Sequence, residues 1–163
     1  MPIEVSCSMR TASFLAFGLL LSWGSAFADT KQDQVHRTSH SVMPFDMAKT
    51  LHVFRMTEQG GVQKVVTRDR ADDAQIEMIR QHLKHEAKAF QNGDYGDPGH
   101  LHGTTMPGLS EVKANAANIR VTYSNLPDGA SLTFEAKDLR TITAIHRWFG
   151  AQLSEHGADA RAE

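Results

Sequence analysis

The segment KTLHVFRMTEQGGVQKVVTR, residues 49–68, carries the clearest structural pattern in this chain of 163 residues. Apolar and polar side chains alternate over residues 49–57 and again over residues 62–68, which is typical of half-buried β-strands. Residues 59–61, Gln-Gly-Gly, form a turn signal between the two runs. The segment therefore predicts a β-hairpin.

An amphipathic helix is predicted directly after this hairpin. Asp72 or Asp73 can cap its N-terminus, and Asn92-Gly93 is a stop signal. Between them, apolar residues recur at helical spacing and form one stripe that consists of Ile76, Ile79, Leu83, Ala87 and Phe90.

The second half of the chain repeats this order. Residues 119–123 alternate as a strand, residues 126–129 form a turn, and residues 131–135 provide the return strand. A second helix is predicted from Lys137-Asp138 to near Gly157, with an apolar stripe at Ile142, Ile145, Phe149 and Leu153. One shift along the sequence superimposes both Ile79 on Ile145 and Leu83 on Phe149, which suggests two ββα units.

Together these elements predict an α+β fold in the order ββα-ββα. The two hairpins are expected to pair into one antiparallel four-stranded sheet with both long helices on one face. Residues 43–158 would form this single domain, between a disordered polar tail at 29–42 and a short tail at 159–163. The connection at 93–108, GDYGDPGHLHGTTMPG, is long enough to be a functional loop, and residues 109–115 are expected to form a helical turn.

Residues 1–28 have the pattern of a secretory signal peptide. Arg10 provides a positive charge, residues 11–23 are apolar but short for a membrane span, and Ala26-Phe27-Ala28 matches the A-x-A cleavage pattern. No second apolar stretch of membrane length follows in the sequence. We therefore expect a periplasmic or secreted protein, cleaved after Ala28 and free of the membrane; an uncleaved N-terminal anchor is the alternative.

Composition excludes several classes of function. Cys7 is the single cysteine and lies in the signal segment, so the exported chain would lack disulfides, thiolate metal ligands and a cysteine nucleophile. A net charge of −2 provides no electrostatic attraction for nucleic acid. The sequence contains no G-x-S-x-G, P-loop, G-x-G-x-x-G or H-E-x-x-H motif, and nothing in it indicates an organic cofactor.

Nine histidines are the unusual feature of the composition. His82 and His85 lie three residues apart on the first predicted long helix, and His100 and His102 form an H-x-H pair in the connection that follows. Neutral imidazoles are good ligands for Zn²⁺ and Cu²⁺, which need three or four converging donors. We therefore predict a Cu or Zn site at these four histidines, with ordinary solvent-exposed histidines as the alternative. Further candidate ligands are Glu86, Asp94, Asp97, Met106 and His52.

The remaining histidines are interpreted as structural or as part of the tail. His36 and His40 fall in the predicted polar tail. His52 alternates with apolar residues on a strand, while His146 and His156 lie at the edges of the apolar stripe of the second long helix. We expect structural roles for these last three, and a buried contact between His52 and His146 would point to a function instead.

Several short motifs resemble a group of small secreted proteobacterial proteins whose members are often labelled aspartate carbamoyltransferase. They are MPFDM at 43–47, TLHVF at 50–54, GGVQ at 60–63, QI at 75–76, IR at 79–80, HL at 82–83, DP at 97–98, HG at 102–103 and MPGL at 106–109. The resemblance spans residues 43–158, places His52, His82 and His102 within recurrent patterns, and implies carbamoyl transfer through the label. The Ser-Thr-Arg-Thr and His-Pro-x-Gln motifs of that transferase do not occur in this sequence.

Three functions follow as alternatives from the sequence. The first is an exported histidine-rich binding protein for a transition metal or a small ligand. The second is an enzyme that uses the same histidines and carboxylates as acid–base groups, with carbamoyl transfer as the named candidate. The third is an interaction module in which residues 93–108 contact a partner protein.

Overall fold

The computed structural model describes residues 30–163. The predicted signal peptide, residues 1–28, lies outside the described residues. The described chain contains five α-helices and five strands, which are α1 (Lys31–Ser39), β1 (Thr50–Thr57), β2 (Gly60–Thr67), α2 (Asp73–Gln91), α3 (Gly96–His102), α4 (Leu109–Ala114), β3 (Arg120–Leu126), β4 (Gly129–Glu135), α5 (Leu139–His156) and β5 (Ala160–Ala162). Short 3₁₀ turns lie at Met47–Lys49, Ala116–Asn118 and Gly157–Asp159.

The five strands form one mixed sheet in the order β3-β4-β2-β1-β5. The predicted hairpins β1–β2 and β3–β4 are both present and antiparallel, and they join through an antiparallel pairing of β2 with β4. In this register Gln63 of β2 lies between Phe54 of β1 and Leu132 of β4. Since side chains alternate across a strand, these three residues share one face of the sheet.

The two long helices pack on that same face, which we call the inner face. The Phe134 ring on β4 lies 5.8 Å from the Phe90 ring of α2 and 5.6 Å from the Phe149 ring of α5, measured between centroids. One strand residue thus touches both helices. Apolar periodicity predicted this packing, because the residues of both expected stripes are buried apart from Leu153 of α5, which is half-buried.

The sheet differs from the predicted four-stranded antiparallel sheet by its fifth strand. Residues 160–162, expected to belong to a tail, form β5 and pair in parallel with β1, with Val53 opposite Arg161. The helix α5 ends at Gly157, whose φ of 54° turns the chain back toward β1. A strand of three residues is too short to show an alternating pattern, so sequence could not reveal it.

The expectation of a disordered tail at residues 29–42 is also wrong over α1. Thr30 and Asp33 form a capping box at its N-terminus, which satisfies two main-chain N–H groups. Val35 is 1% exposed in the core, and the Nε2 atom of His36 lies 2.9 Å from the carboxylate of Asp159. Val35 is the single large apolar residue in this nine-residue helix, so hydrophobic periodicity could not predict the helix from sequence.

The connection at 93–108 is folded over much of its length. Residues Gly96–His102 form α3, with Pro98 and Leu101 buried, and Met106 is buried further along. The predicted helical turn at 109–115 is confirmed as α4. Across residues 30–163, every helix is either too short or too polar to cross a membrane.

A matched pair of glycine substitutions tests the packing of the sheet. A Cβ atom at Gly129 would lie 2.0 Å from the carbonyl oxygen of Val65, so the two strands would have to move apart. We expect Gly129→Ala to lower the free energy of unfolding by about 3 kcal/mol. In Gly150→Ala the new Cβ would meet the Met56 methyl group at 3.8 Å, an ordinary contact, and the helical alanine should add about 0.5–1 kcal/mol. Urea denaturation of both variants measures the difference, and similar effects from the two would contradict the register.

Candidate functional site

A cavity lies between the inner face of the sheet and the helices α2, α3 and α5, and the segment 42–45 contributes to its wall. Its volume is about 50 Å³, which is space for a few water molecules or one small ion. Four of the nine histidines line it, namely His52, His82, His102 and His156. We call this space the histidine cavity.

Three of these rings form a contiguous group, which we call the imidazole trio. His52 projects from β1 and stacks on His156 from the last turn of α5, with ring centroids 4.5 Å apart and planes inclined by 16°. His102 at the end of α3 packs edge-on against His156 at 4.9 Å. All three side chains are buried, so their ring nitrogens are shielded from bulk solvent.

Burial holds the trio in its neutral form. Removal from water lowers the pKa of His52 to about 3, with further lowering by the neighbouring His102 and His82. The pKa of His156 lies well below its ordinary value for the same main reason, followed by the charges of His52 and His102. Burial also lowers the pKa of His102, although its hydrogen bond to Glu155 opposes the shift. At neutral pH each ring therefore carries one N–H and one lone pair.

A hydrogen bond determines where the lone pair lies on the His102 ring. The Nδ1–H of His102 donates to the Glu155 carboxylate over 3.0 Å, which leaves the lone pair on Nε2. The main chain of Asp159 opposes the lowering of the pKa of His52 but is a smaller effect than burial. Within residues 30–163, Nδ1 of His52 and Nδ1 of His156 have no hydrogen-bond partner although both atoms are buried.

Two further buried polar atoms belong to residues that line the cavity. Nε1 of Trp148 and Nε2 of Gln152 find no hydrogen-bond acceptor among the described residues. Buried polar groups are nearly always paired, and each unpaired group costs about 1–3 kcal/mol. Four such atoms in residues around one small cavity therefore point to a space made for a polar occupant.

An acid pair occupies another part of the cavity wall. Glu86 of α2 is buried, and burial together with the charge and hydrogen bond of Asp97 raises the pKa of Glu86 to about 8. At neutral pH Glu86 is therefore protonated. The neighbouring His82 packs edge-on against Phe45, and burial lowers its pKa to about 4.

The structure does not assemble the four-histidine cluster predicted from sequence. His82 and His102 line the cavity, but His85 and His100 are exposed, and His100 lies 3.2 Å from the hydroxyl of Ser41. The reason is that the H-x-H pair is helical rather than extended. Residues two apart on a helix point roughly 200° away from each other, so His100 and His102 cannot converge.

The further candidate ligands divide in the same way. His52, Glu86 and Asp97 line the histidine cavity. Asp94 instead accepts a hydrogen bond from the main chain of Gly96 over 2.9 Å, and Met106 is buried away from the cavity lining. As the side chains stand in residues 30–163, no three His, Cys, Asp or Glu residues are arranged to hold a metal ion.

Sequence reasoning missed the contribution of α5. Trp148, Gln152 and His156 succeed one another at intervals of four and all line the cavity. A glutamine and a histidine that continue a buried helical stripe are the signal that could have revealed them.

His146 of α5 lies outside the cavity and has a structural role. Its Nε2 atom lies 3.0 Å from the carbonyl oxygen of Thr57 and 2.8 Å from that of Gly60 at the β1–β2 turn.

Comparison of the chain with protein-family models, with curated proteins and with solved structures finds no match. The chemistry of the histidine cavity is therefore the basis for a functional proposal. The cavity offers neutral imidazoles that accept hydrogen bonds, N–H donors from Trp148 and Gln152, and the protonated carboxyl group of Glu86.

Proposed function

We propose that this chain is an exported binding protein that holds a small polar ligand, an ion or a molecule of a few atoms, in the histidine cavity. The observation that carries the proposal is the pair of buried, unpartnered Nδ1 atoms of His52 and His156 in residues that line a polar cavity. An occupant that engages these atoms would remove the cost of leaving them unpaired.

The polar groups also limit what the occupant can be. The imidazole lone pairs require a hydrogen-bond donor or a metal cation, whereas Trp148 Nε1–H and the Gln152 amide require an acceptor. A cation with its bound water, or a small molecule that carries both a donor and an acceptor, meets both requirements. The volume of about 50 Å³ excludes a nucleotide or a sugar from the cavity as it stands.

Native mass spectrometry of the exported protein, purified without chelators, tests this proposal. We expect a mass above that of the polypeptide under native conditions, and this excess should disappear on denaturation. His156→Leu should lose the excess mass, whereas the double variant His85→Ala/His100→Ala, which changes two exposed rings, should keep it. Equal masses under native and denaturing conditions would contradict a binding function.

An acid–base enzyme is the second candidate, and the acid pair favours it. A carboxyl group whose pKa is about 8 is protonated at neutral pH and can act as a general acid in the cavity. The carbamoyltransferase interpretation can be assayed directly with carbamoyl phosphate and aspartate. Turnover that is lost in Glu86→Gln would establish an enzyme, whereas a binding protein should show no turnover in either form.

A docking role for residues 93–108 has less support. Three apolar side chains of this connection, Pro98, Leu101 and Met106, are buried in the protein itself rather than presented to a partner. Pro98 and Leu101 belong to the short helix α3, which ends at His102 and places it in the cavity wall. The connection therefore packs against the rest of the protein and forms part of the cavity wall.

Export is a separate part of the proposal with its own prediction. The signal pattern at 1–28 places the cleavage after Ala28, one residue before the described part of the chain begins. N-terminal sequencing of protein recovered from the periplasm or medium should begin at Asp29 or within one or two residues of it. Recovery of the full-length chain from the cytoplasm would contradict export.

A further inference from the structure

We propose that α1 and the turn after it, residues 30–42, form a lid over the imidazole trio that opens in acid. In the open state the lid and the C-terminal segment, residues 157–163, leave the rest of the protein together, while both hairpins and both long helices stay folded. Proton uptake by the trio favours this state, which is sparsely populated at neutral pH. The proposal goes beyond the binding function and does not depend on it.

The lid lies beside the rings of the trio. α1 packs against α3 and α5, the helices that carry His102 and His156. Burial is the main cause of the lowered pKa of His102 and of His156, and the nearby charges of Lys31 and His36 of α1 lower the two values further. Val42, at the end of the lid, lines the histidine cavity. Displacement of the lid would therefore admit water to these rings.

α1 is folded only through its contacts with the rest of the protein. It is nine residues long, and helices shorter than about 12 residues are marginal in water on their own. Its buried residues are Val35 and Ser39, so it contributes little apolar area to the core. Elements with few buried apolar groups are those that open locally before a domain unfolds as a whole.

The lid and the C-terminal segment contact each other. Nε2 of His36 lies 2.9 Å from the carboxylate of Asp159. Gln32 lies directly against Gly157, where an added Cβ atom would collide with the Gln32 side-chain amide. The segment ends with β5, which adds three residues to the edge of the sheet. Since the two parts share these contacts and each is short, we expect them to open as one unit.

The charged groups around the trio leave two of its rings without an opposite charge among the described residues. Across residues 30–163, the charged and titratable groups that face the trio and its cavity are Lys31 and His36 of α1, His82 and Glu86 of α2, Asp97 of α3, Glu155 of α5, and Asp159 and Arg68 beside β5. Glu155 faces His102 over 3.0 Å, Asp159 faces His36 and Arg68, and Asp97 acts on His82 and Glu86. The charges that act on His52 and His156 are those of other histidines.

Protonation of the stacked pair is therefore unfavourable while the lid is closed. The rings of His52 and His156 have centroids 4.5 Å apart, and two positive charges at this distance repel each other strongly in a site removed from water. Burial, followed by the charges of His102 and His82, lowers the pKa of His52 to about 3, whereas a solvated ring has a pKa of about 6.5. Acid thus favours a state in which water reaches these rings, and opening of the lid provides one without unfolding the sheet.

The expected pH dependence of the opening is steep. Each buried histidine that gains water raises the equilibrium constant for opening by up to about tenfold per pH unit below pH 6.5. For His52 and His156 together, the constant should rise by more than about 100-fold between pH 6.5 and pH 5. The contact of His36 with Asp159 opposes this change once His36 is protonated. Exposed ion pairs contribute little, however, and the His36 side chain is 42% exposed.

Hydrogen exchange followed by mass spectrometry tests the proposal on the protein at pH 6.5 and pH 5. Protection factors are compared, because they correct for the pH dependence of the intrinsic exchange rate. Peptides that cover residues 30–42 and 157–163 should lose protection together, by more than about 100-fold. Peptides from α2, β2 and β4 should keep their protection over the same range.

Variants separate proton uptake from weak packing. His156→Leu removes one of the two titrating rings, so the loss of protection in the lid should fall to about 10- to 20-fold between the two pH values. His52→Gln makes the same comparison from the other side of the stack. Val35→Ala weakens the packing of α1 and should raise opening by one factor at both pH values. His85→Ala, an exposed ring on α2, should behave as the unmodified protein.

Three results would overturn the proposal. The first is protection of residues 30–42 that changes by less than tenfold between pH 6.5 and pH 5 in the unmodified protein. The second is a parallel loss of protection in α2, β2 and β4, which would show that the protein unfolds as a whole. The third is an undiminished pH dependence in whichever of His156→Leu and His52→Gln is folded by circular dichroism. The native mass of the protein has no bearing on these results, so the binding function is tested separately.

Discussion

Between pH 6.5 and pH 4, the ligand-free protein should lose about 3 kcal/mol of its free energy of unfolding, because the loss at two buried histidines exceeds an opposing gain at Glu86. Burial lowers the pKa of His52 to about 3 and that of His82 to about 4. Below pH 6.5 the unfolded chain takes up protons at these positions while the folded protein does not, so acid favours unfolding. Each pH unit across this window costs up to about 1.4 kcal/mol per histidine.

The acid pair should produce the opposite slope on the alkaline side. Burial, followed by the charge of Asp97, raises the pKa of Glu86 to about 8, so the folded protein retains a proton that the unfolded chain has already released. This contribution is lost as the pH rises from about 4.5 to about 8. It therefore offsets about 2–3 kcal/mol of the acid loss below pH 6.5 and costs about 2 kcal/mol between pH 6.5 and pH 8. Stability is therefore expected to be greatest near pH 6.5.

Urea denaturation at a series of pH values, followed by Trp148 fluorescence, measures both slopes. His82→Gln should reduce the acid slope. Glu86→Gln should remove the alkaline slope and steepen the acid slope, because the protonated Glu86 offsets part of the acid loss down to its unfolded pKa of about 4.5. His85→Ala, which alters an exposed ring on the same helix, should retain the whole profile. A profile that is flat from pH 4 to pH 8 would show that these groups are not held in the buried, neutral forms described.

Trp148→Ala is expected to be the most damaging single substitution, with a loss of about 3–5 kcal/mol. Its indole is 0% exposed and meets the rings of Phe90, Tyr95, Phe134 and Phe149 at centroid distances of 5.4–5.8 Å. Truncation would empty the junction between α2, α5 and the inner face. Since domains are stable by only about 5–15 kcal/mol, the variant should melt roughly 10 °C or more below the unmodified protein.

Trp148→Phe is the matched control for this prediction. It keeps an aromatic ring at the junction and removes the Nε1–H that lacks an acceptor, so the lost packing is partly offset. We expect a cost of about 1–2 kcal/mol, measured by thermal and chemical denaturation monitored by circular dichroism. Near-equal stability of the alanine and phenylalanine variants would contradict the central position of the indole.

The hairpins and the long helices were predictable because each is long enough to show a period. The alternation of apolar and polar residues at 49–68 predicted β1 and β2. The apolar stripes from Ile76 to Phe90 and from Ile142 to Phe149 predicted α2 and α5. Elements with few apolar residues were not predictable. The helix α1 buries Val35 and is otherwise polar, and β5 is three residues long and depends on the turn at Gly157 for its place beside β1.

The candidate site was predictable by residue type but not by partner. His52, His82 and His102 were among the candidate ligands predicted from sequence, and the structure places all three in the cavity wall. Proximity along the chain suggested His85 and His100 as their partners, whereas the actual neighbour is His156, which follows His102 by more than fifty residues. Only the packing of α5 against α3 and β1 brings His156 to the trio, and no periodicity encodes such a contact.

A high-resolution crystal structure of the protein, purified without chelator, tests the central claim most directly. That claim is that the histidine cavity holds a ligand which engages the unpartnered Nδ1 atoms of His52 and His156. We predict electron density stronger than a water molecule within hydrogen-bonding or coordination distance of both atoms, with an anomalous signal if the occupant is Zn²⁺ or Cu²⁺. A cavity that contains ordered water alone, with the His52 and His156 rings still stacked, would contradict the claim.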